Sequence, residues 1–248
     1  MSSTRTAIEW TDKTWNPTTG CNKVSPGCKH CYAETVTKRF HQHFPNGFDF
    51  TLHQERLDEP RRWRKPSRVF VNSMSDLFHE RMPLEFLKEV FKVMSECDRH
   101  VFQILTKRHE RLVEIAPELS WPENVWMGVS VENQNYAHRV DHLRKVPAAV
   151  RFLSCEPLLG PLALELEGIH WVIVGGESGQ GYRPINAEWV RSIRGQAQAA
   201  NLPFFFKQWG GIRPKAGGRE LDGLTYDEMP GAWYMHLRRL GEAKLAVS

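Results

Sequence analysis

Three of the five cysteines in the sequence lie within one short segment, at Cys21, Cys28 and Cys31. The segment, GCNKVSPGCKHC, contains a Ser-Pro-Gly turn that lets the chain fold back and bring the first thiol towards the other two. Thiolates are the ligands that zinc and iron–sulfur clusters prefer. The spacing C-x6-C-x2-C therefore predicts a metal centre in this segment.

Three kinds of site compete for the cysteine segment. Buried cysteines without a metal are disfavoured, because a loop of Gly, Pro and Lys is a poor place to bury them. A zinc site needs a fourth ligand, for which His30 is the candidate. An iron–sulfur cluster on three thiolates is favoured, because it leaves one metal position open for a reactant. The remaining Cys97 and Cys155 lie in apolar surroundings and are predicted to be buried.

Composition narrows the class of protein. The chain has 248 residues, with 33 basic and 29 acidic side chains and a net charge of +4, which permits nucleic-acid binding without favouring it. No apolar run approaches the roughly 20 residues of a membrane span, and residues 1–10 lack the apolar core of a signal peptide. We therefore expect a cytoplasmic protein that does not interact with a membrane. The segment 59–68 (EPRRWRKPSR) places five basic residues around Trp63, which suits phosphate contact or a solvated loop.

The elements that position the cysteines are predicted from hydrophobic periodicity. Short, nearly continuous apolar runs, typical of parallel strands covered on both faces, occur at 68–72, 101–105, 125–131, 150–154, 170–175 and 203–207, with a weaker first strand at 13–17. Amphipathic helices are predicted at 83–97, 109–116, 133–145 and 187–200. The alternation indicates an α/β protein of about six parallel strand–helix units.

Polar residues follow nearly every predicted strand. In a barrel all strand ends share one mouth, whereas an open doubly wound sheet concentrates its ligands at one switch point. The sequence therefore favours a partial (β/α) barrel over residues 1–210, with 211–248 as a C-terminal extension.

With its cysteine loop after the first strand of a partial barrel, the chain resembles the radical S-adenosylmethionine superfamily. Within it, the chain is similar to the phage- and bacterium-encoded three-Cys-motif proteins near the spore photoproduct lyase branch. The stretches that carry this resemblance run from Trp15 to Gly210 and are WNPTTGCNKVSPGCKHCYAE, VNSMSDLFHE, QILTKR, WMGVSVENQ, FLSCEPLLGPL, WVIVGGESG and FFFKQWG.

The resemblance implies a [4Fe–4S] cluster on Cys21, Cys28 and Cys31, whose unique iron binds the amino and carboxylate groups of S-adenosylmethionine. Reduction by an external electron donor would cleave this cofactor to methionine and a 5′-deoxyadenosyl radical. The sequence departs from the commonest loop of the superfamily, C-x3-C-x2-C. Its first gap is six, and His30 stands where an aromatic residue is usual, with Tyr32 one place after the last cysteine.

Further cofactor-binding candidates follow the predicted strands. By position in the superfamily, Ser73 and Asp76 are the candidates for the amino group of S-adenosylmethionine. Lys107 could fix a carboxylate or phosphate, or form a surface ion pair. Ser130 and Glu132 share a face and could meet ribose hydroxyls, or cap the next helix.

Two more strand ends complete the predicted site. Glu156 should be half-buried and so needs a partner, with Arg151, Lys107 or the ligand expected. Gly175 and Gly176 would let the backbone approach a ligand closely, followed by Glu177. Because this Gly-Gly-Glu triplet follows the sixth strand, the amino-group role of the superfamily triplet, which follows the second strand, is not transferred to it.

Three functions remain open from the sequence. The favoured one is a radical enzyme acting on a nucleic acid or nucleotide. The second is a non-catalytic nucleic-acid-binding module stabilised by zinc or a cluster. The third is a radical enzyme acting on a peptide or small molecule, alongside a partner protein.

Overall fold

The computed structural model of the chain describes residues 6–213 and 215–241. Its eleven strands, in chain order, are β1 (Lys13–Trp15), β2 (Thr18–Thr19), β3 (Thr51–Leu52), β4 (Arg68–Val71), β5 (Val101–Thr106), β6 (Val125–Ser130), β7 (Val150–Cys155), β8 (Trp171–Gly175), β9 (Phe204–Gln208), β10 (Glu220–Leu221) and β11 (Leu224–Thr225). Seven of them form one sheet in the order β1-β4-β5-β6-β7-β8-β9, and every neighbouring pair is parallel. The sheet curls into a half-barrel, which confirms the predicted fold class.

Helices connect most of these strands. They are α1 (Tyr32–Arg39), α2 (Leu84–Glu96), α3 (His109–Ile115), α4 (Arg139–Arg144), α5 (Ala187–Ala199) and α6 (Gly231–Arg239). Short 3-10 helices cover Pro26–Cys28, His41–His43, Gln54–Arg56, Pro60–Arg62, Ala116–Glu118 and Gln134–Tyr136. None of the helices in the described ranges has the length and apolarity that crossing a membrane requires.

Alternating side chains of the strands build two apolar layers. On β6, Val125, Met127 and Val129 belong to the large cluster that packs against the helices. Trp126, between them in sequence, belongs to a second cluster on the concave face. Aromatic residues dominate this inner layer, which contains Trp10, Val101, Trp126, Val150, Phe152, Trp171, Ile173, Phe205, Met229 and Trp233. Most of its strand residues lie in the first half of their strands, so this layer fills the amino-terminal end of the half-barrel.

The carboxyl end of the concave face is polar because the same alternation continues into polar residues. After Trp126, the inner positions on β6 are Gly128 and Ser130. After Phe152, the inner position on β7 is Ser154. The barrel thus has a packed base and a polar mouth, and the mouth receives the ends of all seven parallel strands.

The predicted domain division is only partly covered by the structure. Residues 1–5, at the start of the predicted barrel, and residues 214 and 242–248 of the predicted extension lie outside the described residues. In the described part of that extension, Leu221 packs into the outer core, and Met229 and Trp233 pack into the inner one.

Candidate functional site

The cysteine segment leaves the sheet directly after β1 and reaches the mouth. The short β2–β3 ribbon closes the base of this excursion. At its start Gly20, with φ +81°, donates to the Met74 carbonyl at 2.9 Å. A Cβ at Gly20 would lie 2.0 Å from the Asp49 carbonyl oxygen, so only glycine fits this crossing. The next residue, Cys21, donates its N–H to Phe48 O at 3.1 Å.

The three clustered cysteines are free thiols and partly exposed. Cys28 ends the 3-10 helix Pro26–Cys28, and Cys31 is the N-cap of α1. The Ser25 hydroxyl lies 3.8 Å from the Cys28 sulfur. The segment therefore consists of an irregular stretch that begins at Cys21, one 3-10 turn that ends at Cys28, and the start of α1 at Cys31.

Arg108, at the end of β5, binds the first part of the segment. Its guanidinium donates to Cys21 Sγ at 3.6 Å and to the Asn22 carbonyl at 3.4 Å, and it also contacts the Asn22 side chain and Glu80. Burial raises the pKa of the Cys21 thiol to about 11, and the charge of Asp76 adds to this, while Arg108 opposes both. A cation therefore lies against the first thiol.

Asp76 fixes the loop after β4 to the end of β5. Its carboxylate accepts from the Thr106 hydroxyl at 2.7 Å, from Lys107 N–H at 3.2 Å and from Phe78 N–H at 2.9 Å. The Arg108 side chain lies 3.8 Å from it. Asp76 is thus engaged within the protein, and it supports the arginine that touches Cys21.

Glu132, two residues after β6, is fully buried and binds the middle of the segment. One carboxylate oxygen accepts from Arg139 at 2.7 Å and the other from the Ser25 hydroxyl. Arg139 is itself 2% exposed and also donates to the Ser130 carbonyl at 2.8 Å. A Cβ on Gly27 would lie 2.5 Å from Glu132 Oε1, so glycine gives this carboxylate its room.

Glu177, two residues after β8, forms a third such contact. Its carboxylate accepts from the N–H and Nε of Arg183, both at 2.9 Å, and that arginine also donates to the Pro26 carbonyl at 2.9 Å. Burial acts to raise the pKa of Glu177, but Arg183 outweighs it, with help from His30, so the pKa lies below its ordinary value.

The cysteine segment is therefore held by three arginine–carboxylate pairs at the ends of different strands. Arg108 reaches the segment itself, Glu132 reaches it through Ser25, and Arg183 reaches it through Pro26 O. Because each pair is anchored on the sheet, the loop conformation is coupled to the barrel. We call these contacts the loop clamps.

The other residues predicted for the site lie around this loop. Lys107 Nζ donates to the Ser130 hydroxyl at 3.1 Å across the β5–β6 ends, so these two residues meet at the mouth. Ser73 instead donates to the Asn16 side chain at 3.2 Å, beside the end of β1. The predicted helix cap at Ser130 and Glu132 is replaced by Asn133, whose side chain accepts from Asn135 N–H.

Glu156 is half-buried, as predicted, but neither of the two protein partners expected for it, Arg151 and Lys107, pairs with it. Its carboxylate accepts from Lys207 Nζ at 2.7 Å, across the sheet on β9. Arg151 lies one strand position out of phase and donates to the Val146 carbonyl instead. The mouth therefore carries a second polar pair, Glu156 with Lys207, beside Lys107 with Ser130.

Gly175, which ends β8, and Gly176, which follows it, make close contacts within the protein itself. A Cβ on Gly175 would lie 3.0 Å from the Glu156 carboxyl carbon, and one on Gly176 would lie 2.0 Å from the Trp209 carbonyl oxygen. The close approach predicted between these glycines and a ligand is made instead, at Gly176, to the chain after β9.

We expect Gly176→Ala to lower the free energy of unfolding by at least about 2 kcal/mol, because the two backbones must separate. The matched control is Gly195→Ala in α5, where nothing lies within 4 Å of the new methyl group. That change should stabilise by about 0.5–1 kcal/mol. Urea unfolding of both variants measures this, and equal unfolding free energies would refute the close approach at Gly176.

The lowered pKa of Glu177 predicts a pH dependence of stability. The stabilisation by Glu177 is complete above the unfolded pKa of about 4.3 and is lost as the pH falls through the lower folded pKa. We therefore expect Glu177→Gln to be less stable than the wild type at pH 7, with the gap closing towards pH 3. Urea unfolding across that range, with the exposed Glu188→Gln as control, tests this. A gap that is constant with pH contradicts it.

The donors that the structure places at the mouth include the three thiols of the cysteine segment. Three free thiols and no fourth cysteine suit a centre with one open position. Across residues 6–213 and 215–241, no three His, Cys, Asp or Glu side chains stand in a ready-made ligand geometry. The donor types and the clamped loop fit the predicted centre.

Comparison with known families gives one direct match. The family described as "Protein of unknown function (DUF5131)" matches residues 5–230. The chain belongs to the DUF5131 family. No curated protein matches the sequence.

Solved structures similar to this DUF5131 chain are spore photoproduct lyases. One variant has 14% identity and a TM-score of 0.47, covering 71% of this chain and 59% of its own. Another, with bound AdoMet and dinucleoside spore photoproduct, has 14% identity and the same score, covering 96% of this chain and 63% of its own. The chain thus spans about three fifths of the length of these structures, and a likeness of this size says nothing of substrate or reaction.

Proposed function

We propose that the protein is a radical S-adenosylmethionine enzyme of the phage and bacterial three-Cys-motif group, with a [4Fe–4S] cluster on Cys21, Cys28 and Cys31. The observation that carries this proposal is the clamped loop of three free thiols beyond β1, at the polar mouth of a parallel half-barrel. When bound, such a cluster supplies the electron that cleaves S-adenosylmethionine to methionine and a 5′-deoxyadenosyl radical.

The residues of the mouth have separate roles in this proposal. Lys107 and Ser130 offer a cation and a hydroxyl, which suit the carboxylate of the cofactor. Glu156, after β7, and Lys207, on β9, form a half-buried polar pair across β8 and suit hydroxyl groups of a ribose or a substrate. Ser73 and Gly175 both lie at the carboxyl ends of strands. Because Gly175 has no side chain, the Glu156 carboxylate can lie close to its backbone.

Asp76, Glu132, Gly176 and Glu177 are assigned to positioning. Each contacts another part of the chain, and the three carboxylates belong to the loop clamps that hold the cysteine segment. Their role is to hold the thiols and to limit the access of water to them. Holding reactive groups in fixed positions and excluding water are what a protein contributes to cofactor chemistry.

A nucleic acid or nucleotide is the proposed substrate, with an external electron donor and a cytoplasmic location. The support is the motif resemblance quoted above. The zinc-stabilised binding module and the radical enzyme for peptides or small molecules, with a partner protein, are outcomes of the experiments below.

Release of 5′-deoxyadenosine tests the proposed reaction. The protein is reconstituted with iron and sulfide without oxygen, mixed with S-adenosylmethionine and reduced with dithionite. We expect 5′-deoxyadenosine to accumulate, and less of it from Lys107→Met, because that variant loses the cation offered to the cofactor carboxylate. The control is Lys88→Met on α2, a half-exposed lysine that pairs with Glu85 and Glu118. A preparation that is loaded with iron but releases none of the product overturns the proposal.

A further inference from the structure

The basic segment 59–68 lies at the opposite end of the barrel from the cysteine loop. It runs into the amino end of β4, and at its end the Ser67 carbonyl accepts from Val101 N–H at the start of β5, at 3.0 Å. Trp63 packs edge-on against His100, with ring centroids 5.8 Å apart. The segment is therefore part of the base of the barrel, away from the mouth.

Two other parts of the chain join this segment at the base. Arg99 donates from Nη1 to the Arg64 carbonyl at 3.3 Å, which links the start of β5 to the basic loop. His236 Nε2, on α6, lies 3.1 Å from the Arg99 carbonyl oxygen. The last turn of α6 therefore lies beside the basic loop and Arg99, although 137 residues separate His236 from Arg99 in the sequence.

Six exposed cations lie on these three pieces of chain, and we call them the basal patch: Arg62, Arg64, Lys65, Arg99, Arg238 and Arg239. Within the described residues none of the six is in an ion pair, whereas neighbouring Arg61 pairs with Asp58 and Glu96. The two cations of α6 lie in its last turn, where they complement the helix dipole. The four loop cations have no such role.

We propose that the basal patch binds the phosphodiester backbone of a nucleic acid. Five of its six cations are arginines, whose planar guanidinium forks pair with two phosphate oxygens at once. Charges left without acidic partners are available to replace the counterions of a polyanion. Tyr234, 40% exposed on α6, adds an aromatic surface to the helix that carries Arg238 and Arg239.

This binding does not depend on the proposed reaction. The patch lies at the amino ends of the strands, and the thiols lie beyond their carboxyl ends. Nucleic acid bound at the base would be retained by a protein without any cluster, so binding and 5′-deoxyadenosine release can fail separately.

Fluorescence anisotropy with labelled DNA of about 20 nucleotides, as a single strand and as a duplex, tests the proposal. The variant is Arg62→Gln/Arg64→Gln/Lys65→Gln/Arg99→Gln. We expect its Kd to be at least about tenfold weaker at 0.1 M salt, and the slope of log K against log salt to be shallower by about 3, because each lost phosphate contact removes about 0.7–0.9. Comparing the two probes shows whether single or double strands supply the phosphates.

The matched control removes four cations that have acidic partners, Lys38→Gln/Lys88→Gln/Arg191→Gln/Lys215→Gln. Both variants lower the net charge by four, so a local patch predicts that the control keeps near-wild-type affinity. Equal weakening of the two variants, or no weakening of either, overturns the proposal. The proposal is also overturned if the fourfold variant keeps its affinity for DNA and loses only its binding to phosphatidylserine vesicles. If circular dichroism shows that the fourfold variant is unfolded, the double variant Arg62→Gln/Arg99→Gln is used in its place.

Discussion

Cys28→Ala is expected to lose both bound iron and 5′-deoxyadenosine release after anaerobic reconstitution. The wild type should hold about four irons per chain, and the variant should release the product roughly 100-fold more slowly or not at all. The reason is that in the proposed cluster each of the three thiols would be the protein ligand of one iron, and no fourth cysteine lies in the loop. Cys21→Ala and Cys31→Ala should behave in the same way. Iron analysis and chromatography of the product measure both effects.

The two remaining cysteines provide matched controls. Cys97 and Cys155 are buried in the outer core, and burial raises the pKa of the Cys155 thiol to about 12, so neither is suited to ligate a metal at the mouth. Cys97→Ala and Cys155→Ser should therefore keep measurable iron and product. Equal damage from all five substitutions would contradict the assignment of the centre to the loop.

Arg139→Met is expected to give one of the largest losses of stability in the chain. The substitution leaves the Glu132 carboxylate, which is fully buried, with only the Ser25 hydroxyl as partner. Removing one partner of a buried ion pair costs about 3–5 kcal/mol. The control is Lys38→Met, which breaks an exposed pair on α1 and should cost less than about 1 kcal/mol. Urea unfolding of both variants makes the comparison, and similar costs would contradict the buried clamp.

The double variant Glu132→Leu/Arg139→Met separates stability from loop positioning. Replacing both charges with apolar side chains should recover much of the unfolding free energy. It cannot recover the hydrogen bond from Ser25, so iron loading should stay low. If the double variant loads iron like the wild type, Glu132 does not position the cysteine segment.

The strands of the sheet could be predicted because a strand that is buried on both faces consists of nearly continuous apolar residues. The runs at 101–105 and 150–154 each fall within one residue of the observed β5 and β7. The single helix predicted at 133–145 was wrong. It is a 3-10 turn at Gln134–Tyr136 followed by the short α4, because Asn133 caps the turn and Arg139 must face Glu132.

The loop clamps could not be predicted from the sequence. Arg139 lies seven residues after Glu132, and Arg183 lies six after Glu177, so neither pair has the i,i+3 or i,i+4 spacing at which side chains of a helix meet. Arg108 is separated from Cys21 by 87 residues. Such contacts exist only once the strand ends meet at one mouth. The sequence does show that each carboxylate follows a strand, so Glu132 and Glu177 could be named as candidates, whereas their pairing with Arg139 and Arg183 could not be predicted.

Metal analysis of an anoxic preparation, combined with Mössbauer spectroscopy, tests the central claim most directly. We predict about four irons and four sulfides per chain, with one iron whose signal changes when S-adenosylmethionine is added. His30→Ala should leave both results unchanged. A single zinc per chain, no metal at all, or a fourth ligand supplied by His30 would contradict the claim that three thiols hold a cluster with one open position.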